Sequence, residues 1–482
     1  MDRLTSIDAS FLANESATSH MHIGGLTIFE GPPPSYDDLL AHVSSRLHLV
    51  PRYRQKLATP PVETGRPFWV DDPQFNLGYH VRHSALPAPG DEAQLRQMAA
   101  RVFSQQLDRT KPLWELWLVE GLKKKRFALL SKTHHALVDG ISGVDIATVL
   151  FDVKPVPESS AEPHTWIPRP EPTTAGLAAR GIGSAVRAPL GLARRAADVV
   201  SSPSATLGRV QQAAEGLGEV AWEFANPAPE VPLNVPIGPH RRYVWVRGDL
   251  AELKRIKSAL GGTVNDVILT TVAGALRRWL HSRGIRTEGL ELRALVPVSI
   301  RADDSHGELG NQIAAVRGPL PVYVEDPVAR LRTVREAMDD VKSSKKALGA
   351  EMITRFNDFA PPTLLAQASR INFSTRLFNL IVTNVPGPQF PLYVLGRELL
   401  DIFPVAFLPE NHALAIAIMS YNGKIDFGLL GDYDSMEDAS LIADGIEAEI
   451  KQLLAAAKAA EKANKASRSR RTNGDRAAAK PG

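Results

Sequence analysis

Cysteine is absent from this chain of 482 residues, and so are long apolar runs. Without a thiol there is no disulfide, no cysteine metal ligand and no covalent intermediate on cysteine. No apolar run approaches the roughly 20 residues that a membrane-spanning helix needs. The N-terminus also lacks the basic region and apolar core of a signal peptide. We therefore expect a cytoplasmic protein without a transmembrane helix.

The charge of the chain is unevenly distributed. The formal net charge is +3, but residues 451–482 hold nine Lys or Arg against Glu461 and Asp475, a local +7, which leaves −4 for residues 1–450. The tail, residues 459–482, lacks apolar periodicity, so we expect it to be disordered. Two interpretations stay open for it, a contact with anionic lipid head groups and a solubilising tail with no partner. Aromatic residues do not alternate with these cations, which argues against nucleic-acid binding.

The remaining sequence is predicted to form an α/β fold of two lobes, since hydrophobic residues make up 44% of the chain and both halves mix strand and helix patterns. We predict a first lobe over residues 1–152, a Pro-rich and helical connection over 153–240 and a second lobe over 241–458. The Ala-rich part of the connection, residues 174–224, either lies on a membrane or lipid droplet or packs across the two lobes.

Several local elements can be predicted within these lobes. Strands at 116–119 and 127–130 form a probable hairpin, and Asn422-Gly423 marks another between 413–421 and 424–430. Residues 380–383 are predicted to be a strand that stops at Asn384. Helical spacing covers 250–260 and 264–280, and an amphipathic helix closes the second lobe.

The sequence His134-His135-Ala136-Leu137-Val138-Asp139-Gly140 follows a predicted buried strand, residues 126–133. If the strand continues into the motif, the two histidines point to opposite faces, so only one of them faces a given cavity. Gly140 then permits a sharp turn before the next helix. An imidazole at the end of a strand is typical of a general base, because histidine titrates near neutral pH.

Three interpretations of the motif compete. A buried, hydrogen-bonded histidine pair would only pack. A metal site is disfavoured because adjacent histidines diverge and no third ligand has a recognisable spacing. In the catalytic interpretation, which we favour, His135 is the base and Asp139 forms a structural ion pair that holds the loop, with Arg301 as the candidate cation.

A second polar motif, Asn265-Asp266, opens the predicted helix at 264–280, with Thr263 as a plausible N-cap. Capping of the helix and support of its dipole explain these residues without a catalytic role. Alternatively, Asn265 donates a hydrogen bond to a carbonyl oxygen on which negative charge develops. Both roles are compatible.

Together, these motifs resemble a known family. The H-H-x-x-x-D-G pattern is similar to that of the CoA-dependent acyltransferases of the chloramphenicol acetyltransferase and condensation-domain type. The chain more narrowly resembles the bacterial wax ester synthase/acyl-CoA:diacylglycerol acyltransferase family over about residues 1–455. The matching elements are Ser6-Ile7-Asp8-Ala9-Ser10-Phe11-Leu12 (with Ile7 where proline is usual), Pro112-Leu113-Trp114, the histidine motif, Asn265-Asp266 and Asn384-Val385-Pro386-Gly387-Pro388.

The resemblance implies a chloramphenicol acetyltransferase-like sandwich with an active-site tunnel between the lobes. It also implies transfer of a long-chain acyl group from acyl-CoA, a co-substrate, to diacylglycerol or a fatty alcohol, with no cofactor and no metal. Catalytic candidates are His134, His135, Asp139, Gly140 and Asn265. Substrate-binding candidates are Pro112, Trp114, Asn384, Pro386 and Gly387. The alternatives are a condensation enzyme that uses carrier proteins and a non-catalytic protein of lipid surfaces.

Overall fold

Two six-stranded sheets organise the chain in the computed structural model, which describes residues 1–61, 66–138, 149–156, 166–178, 225–300, 312–343 and 373–478. The first sheet has the order β12-β13-β2-β7-β6-β5 and the second the order β10-β9-β11-β14-β15-β8. A three-stranded sheet of order β1-β4-β3 accompanies them. The predicted α/β fold of two sheet-rich lobes is confirmed.

The strands are bounded as follows: β1 (Asp2–Arg3), β2 (His22–Phe29), β3 (Gln55–Ala58), β4 (Phe68–Asp71), β5 (Val81–Ala85), β6 (Trp114–Glu120), β7 (Phe127–His134), β8 (Arg241–Asp249), β9 (Leu292–Ile300), β10 (Gln312–Leu320), β11 (Leu380–Pro386), β12 (Tyr393–Val394), β13 (Arg397–Val405), β14 (Leu414–Tyr421) and β15 (Lys424–Asp432). The helices are α1 (Ser6–Asn14), α2 (Tyr36–Arg46), α3 (Leu77–His80), α4 (Glu92–Phe103), α5 (Leu250–Leu260), α6 (Val264–Ser282), α7 (Pro327–Ser343) and α8 (Ala439–Ala478). Short 3-10 turns occur at Leu47–Leu49, Pro51–Arg54, Lys123–Lys125 and His135–Leu137.

Both predicted hairpins are present. Strands β6 and β7 pair antiparallel, and so do β14 and β15. The second turn is tight because Asn422 (φ 43°) and Gly423 (φ 83°) both adopt the left-handed conformation that a two-residue hairpin loop of this type needs. The helices predicted at 250–260 and 264–280 correspond to α5 and α6.

The second lobe does not keep all of its own strands, which differs from the predicted lobe of residues 241–458. Strand β13 pairs antiparallel with β2 and thereby joins the first sheet, and β12 extends that sheet by one more strand. The apolar side chains of Leu399 and Phe403 are buried there. The exchange covers an edge of β2 that would otherwise present unpaired backbone groups, and it ties the two lobes together.

The predicted disorder of residues 459–482 is wrong for most of the tail. Helix α8 begins at Ala439 and continues through Ala478. Beyond the buried Ala457, the Glu461 carboxylate accepts a salt bridge from Arg255 of α5 at 2.6 Å. The alanine-rich sequence explains the difference, since alanine, lysine and arginine all have a high helix propensity.

The connection at 153–240 is described only in part. Residues 174–178 are helical, and the rest of the predicted helical stretch up to residue 224 lies outside the described residues. Asp152, just before the connection, forms a β-bridge with Tyr393. Whether the stretch lies on a membrane or packs across the lobes therefore stays open.

The main hydrophobic core runs through both lobes. One cluster combines Leu26 and Leu130 of the first sheet with Phe427 of the second and Val272 of α6. Another lies on the outer side of the first sheet and includes Trp114 and Phe29. Within the described chain no single helix is long and apolar enough to cross a membrane. Helices α5 and α6, which are bent by 99° relative to each other, would together be long and apolar enough by length and composition alone.

Candidate active site

His134 ends strand β7 and is fixed on both sides. In the antiparallel register it faces His22 of β2, and its backbone N–H donates to Leu113 O at 3.0 Å. Its side chain is fully buried, and its Nδ1 accepts a hydrogen bond from the Ala136 N–H at 3.0 Å. His134 therefore caps the turn that follows it and has no access to solvent.

His135 begins that turn and is the more accessible of the two histidines, with the residue as a whole half-buried. Its N–H donates to Met21 O at 3.0 Å, so strand β2 fixes its backbone. The Nδ1 atom is buried and has no hydrogen-bond partner among the described residues. Of the pair, only His135 is partly exposed.

Two phenylalanines contact the His135 ring and a third packs against both of them, and we call Phe11, Phe373 and Phe407 the aromatic cluster. The Phe11 ring stacks on the imidazole with centroids 3.8 Å apart and planes 16° apart. Phe407 meets the imidazole edge-on at 5.6 Å, and Phe373 contacts both phenylalanines. Burial lowers the pKa of His135 to about 4, so the imidazole is neutral at pH 7 and able to accept a proton.

A buried carboxylate lies behind the histidine turn. Glu15 directly follows helix α1, and its side chain is only 3% exposed. Its Oε2 lies 3.6 Å from His134 Nε2, its Oε1 lies 3.6 Å from His22 Nε2, and Arg109 Nε donates to it at 2.5 Å. Burial opposes ionisation, but the histidine contacts and the charge of Arg109 outweigh it and hold the pKa of Glu15 well below its usual value.

Sequence analysis missed this group. Phe11 was noted only as part of a motif, and neither Glu15 nor His22 was singled out. No spacing rule links these residues to the histidines, because the pairing of β2 with β7 and the packing of α1 bring them together. Among the described residues no group of three or more His, Asp or Glu is arranged to hold a metal ion.

The Pro112-Leu113-Trp114 segment supports the histidine strand from outside, and the predicted role of Pro112 and Trp114 in binding substrate stays a prediction. Both residues are buried. The Trp114 indole N–H donates to Tyr53 O at 2.8 Å, and its ring stacks on His80. Because Leu113 O accepts the His134 N–H, the segment holds the end of β7 in place.

Asn265 is the second residue of α6 and is half-buried. The helix start is a capping box, in which Thr263 N donates to Asp266 Oδ2 at 2.7 Å and Asp266 N donates to Thr263 Oγ1 at 3.2 Å. The predicted N-cap is therefore confirmed. No hydrogen bond joins Asn265 to the histidine turn within the described chain, so its catalytic role stays a prediction.

The Asn384 segment differs from the predicted loop, since Asn384 and Pro386 belong to strand β11, which pairs in parallel with β14. Gly387 then passes very close to β14, and its N–H donates to Ser420 O at 2.9 Å. A Cβ at this position would lie 2.3 Å from the same oxygen, so only glycine fits. The described contacts make the segment a junction with the β14–β15 hairpin, and its predicted role in binding substrate stays a prediction.

Three predicted site residues, Asp139, Gly140 and Arg301, lie outside the described residues. The ion pair between Asp139 and Arg301 is therefore neither supported nor contradicted. The same holds for the predicted tunnel between the lobes. The described chain does contain a cavity of about 430 Å³, but Asp249, Lys254, Gln389 and Lys424 line it, away from the histidine turn.

Two sheet-rich lobes joined by an exchanged strand, with a histidine turn at the end of β7, define an acyltransferase fold of the chloramphenicol acetyltransferase type. Comparison with known families narrows this class. The model of the wax ester synthase/diacylglycerol acyltransferase catalytic domain matches residues 4–268, and that of the C-terminal domain of the same family matches residues 309–454. The chain belongs to the wax ester synthase/diacylglycerol acyltransferase family, as the sequence motifs indicated.

Individual relatives agree. A probable diacylglycerol O-acyltransferase of Mycobacterium tuberculosis is 33% identical over 462 residues, covering 95% of this chain and 97% of the relative. A second one from the same organism is 33% identical over 459 residues, covering 94% and 99%.

Solved structures give the same result. The wax ester synthase/diacylglycerol acyltransferase from Marinobacter aquaeolei VT8 is similar with a TM-score of 0.67 and 27% identity, over 95% of this chain and 100% of that one. The starter condensation domain of rhizomide synthetase, solved with C8-CoA and Leu-SNAC, has a TM-score of 0.56 at 14% identity, over 95% and 94%. The latter likeness concerns the fold alone.

Proposed function

We propose that this chain transfers a long-chain acyl group from acyl-CoA to the free hydroxyl of diacylglycerol, with His135 as the general base. One observation carries the proposal, the neutral imidazole of the half-buried residue His135 directly after β7, set in the H-H-x-x-x-D-G motif of an acyltransferase family. The names of the relatives support diacylglycerol as acceptor.

The reaction moves one proton and exchanges one bond. His135 takes the proton of the acceptor hydroxyl while the oxygen attacks the thioester carbonyl carbon. The tetrahedral intermediate collapses with loss of the C–S bond, and the imidazolium returns its proton to the thiolate of CoA. The apolar surroundings disfavour the imidazolium, but the negative charge that develops next to it compensates during the reaction.

The oxyanion of the intermediate requires a hydrogen-bond donor, and Asn265 is our candidate. It lies in the first turn of α6, where unpaired backbone N–H groups and the helix dipole favour negative charge. Asp139 and Arg301 are proposed to hold the loop after His135. The mechanism uses these side chains and acyl-CoA as co-substrate, and no further cofactor is proposed.

A fatty alcohol is the alternative acceptor, which would give a wax ester. The family description covers both acceptors, and so does the name of the Marinobacter structure. The experiment is thiol release from palmitoyl-CoA with dioleoylglycerol and hexadecanol in competition, with the products separated by thin-layer chromatography. We expect triacylglycerol to form and His135→Ala to abolish both products. Equal turnover in that variant would remove His135 from the mechanism.

A cytoplasmic location with a peripheral membrane or lipid-droplet contact is also part of the proposal. Residues 451–482 carry a net +7 (nine Lys or Arg against two acids), and helix α8 extends along most of this stretch. Cations near an anionic bilayer contribute about 1 kcal/mol each. Flotation with phosphatidylglycerol vesicles should weaken when Arg468, Arg470 and Arg471 are changed to Glu. Unchanged flotation would argue against this contact.

A further inference from the structure

The buried carboxylate behind the histidine turn has no part in the mechanism above. Glu15 sits at the C-terminal end of α1, where its N–H donates to Phe11 O at 3.1 Å and closes the helix. Its carboxylate is nearly inaccessible and faces three nitrogen-bearing side chains, those of His22, Arg109 and His134. A buried charge of this kind is expensive unless it is well paired.

The contact on the other side of His134 determines which nitrogen carries the proton. Because the Ala136 N–H donates to Nδ1 at 3.0 Å, Nδ1 must be an acceptor and a neutral ring carries its proton on Nε2. Nε2 is the atom that lies 3.6 Å from Glu15 Oε2. The 3.6 Å separation is longer than a hydrogen bond, but the negative charge of Glu15 attracts a proton on Nε2 and so favours the same tautomer that the turn requires.

The turn in question carries His135. His134 and His135 are adjacent, and the bond from Ala136 to the His134 ring closes the 3-10 turn His135–Leu137. If the His134 ring rotated or changed its tautomer, that bond would be lost and the backbone of His135 would be less well fixed. The orientation of the proposed base therefore depends on His134, and that of His134 depends on Glu15.

We propose that Glu15 is a positioning residue for the acyl transfer, which holds His134 in the tautomer that keeps the His135 turn in its reactive geometry. The inference rests on the proposed role of His135. Glu15 contacts no substrate in this scheme. It is comparable to the carboxylates that orient a histidine in other sites, whose loss reduces activity by about 10- to 100-fold behind a metal-binding histidine and by about 10⁴-fold in a Ser-His-Asp triad.

The test compares Glu15→Gln with a matched variant, Glu115→Gln. Glu115 is also a buried carboxylate, paired with Lys132 at 3.2 Å and Arg82 at 3.0 Å on the neighbouring strands. Both variants remove a buried negative charge, so both should lower the melting temperature. We expect Glu15→Gln to reduce kcat by about ten-fold with KM for palmitoyl-CoA nearly unchanged, while Glu115→Gln keeps the kcat of the unmodified protein.

Equal kcat in Glu15→Gln and Glu115→Gln would overturn the positioning role and leave Glu15 as a structural charge. If Glu15→Gln does not fold, Glu15→Asp retains the charge on a shorter side chain, and it should show a smaller loss of kcat with an unchanged KM. A kcat equal to that of the unmodified protein in Glu15→Asp, together with a lowered melting temperature, would overturn the proposal as well. The variant His135→Ala distinguishes a failure of the Glu15 hypothesis from a failure of the proposed function. Full activity of His135→Ala would contradict the role of His135 as general base.

Discussion

Each lobe contains a histidine stacked on a phenylalanine, and only one of these pairs is a candidate for chemistry. His135 stacks on Phe11 at 3.8 Å in the first lobe, and His412 stacks on Phe378 at 4.3 Å in the second. Burial lowers the pKa of both histidines to about 4. A depressed pKa and an aromatic partner are therefore not what distinguishes a base.

Hydrogen bonding and exposure make the difference. His412 is fully buried, with Nδ1 3.0 Å from Glu410 O and Nε2 3.2 Å from Phe378 O. His135 is half-buried, and its Nδ1 lacks a partner in the described parts of the chain. A neutral imidazole has one N–H, so His412 donates to one of the two carbonyls while the fold encloses its other nitrogen, whereas the residue His135 is partly exposed.

The largest expected effect tests this difference directly. We expect His135→Gln to reduce kcat by about 10²- to 10⁴-fold, the usual contribution of a general base, because glutamine cannot take up the hydroxyl proton. His412→Gln should keep kcat within about two-fold and lower the melting temperature instead. Thiol release and thermal unfolding of both variants provide the measurement, and similar losses of kcat in the two would contradict the comparison.

The next effect concerns Asn265, the proposed oxyanion donor. Only His135 is proposed to act in catalysis, so only the His135–Phe11 pair requires such a donor. We expect Asn265→Ala to reduce kcat by about 100-fold, in the range found for loss of one such donor. Thr263→Ala is the control, because it removes the N-cap of the same helix and should cost about 1 kcal/mol of stability while leaving kcat intact. If Asn265→Ala only shifts the unfolding transition, Asn265 belongs to the capping of α6 alone.

A smaller effect on kcat is expected when the phenylalanine that stacks on each histidine is replaced. Phe11→Leu keeps an apolar side chain but removes the flat surface on which the imidazole rests, so kcat should fall by about ten-fold. Partial loss of burial should also raise the pKa of His135 from about 4, which moves the acidic limb of the pH profile of kcat/KM to higher pH. Phe378→Leu makes the same change next to His412 and should leave the profile where it is.

Some features of the fold and the site could be predicted from sequence and others could not. The Asn422-Gly423 turn and the Thr263 cap were predictable because their signals are local, a dipeptide and a capping residue at a helix start. Glu15 was not, since it meets His134 only after β2 has paired with β7. The exchange of β13 into the first sheet and the burial of Trp114 likewise depend on contacts between distant segments, which no short pattern encodes.

The last effect is on stability instead of activity, a loss of stability in acid that both pairs share. The folded pKa of His412, about 4, lies below the 6.5 of a free imidazole, so between these values the unfolded chain binds a proton that the folded chain does not. The stabilisation is present above about pH 6.5 and is lost as the pH falls toward 4. From about pH 7.5 to pH 5, His412 alone should reduce the free energy of unfolding by roughly 2 kcal/mol.

Urea unfolding at both pH values should show this contribution removed in His412→Gln, whose stability must depend less on pH than that of the unmodified protein. An equal dependence in the two proteins would mean that His412 does not stay neutral, and it would remove the likeness between the two stacked pairs on which the comparison with His135 is built.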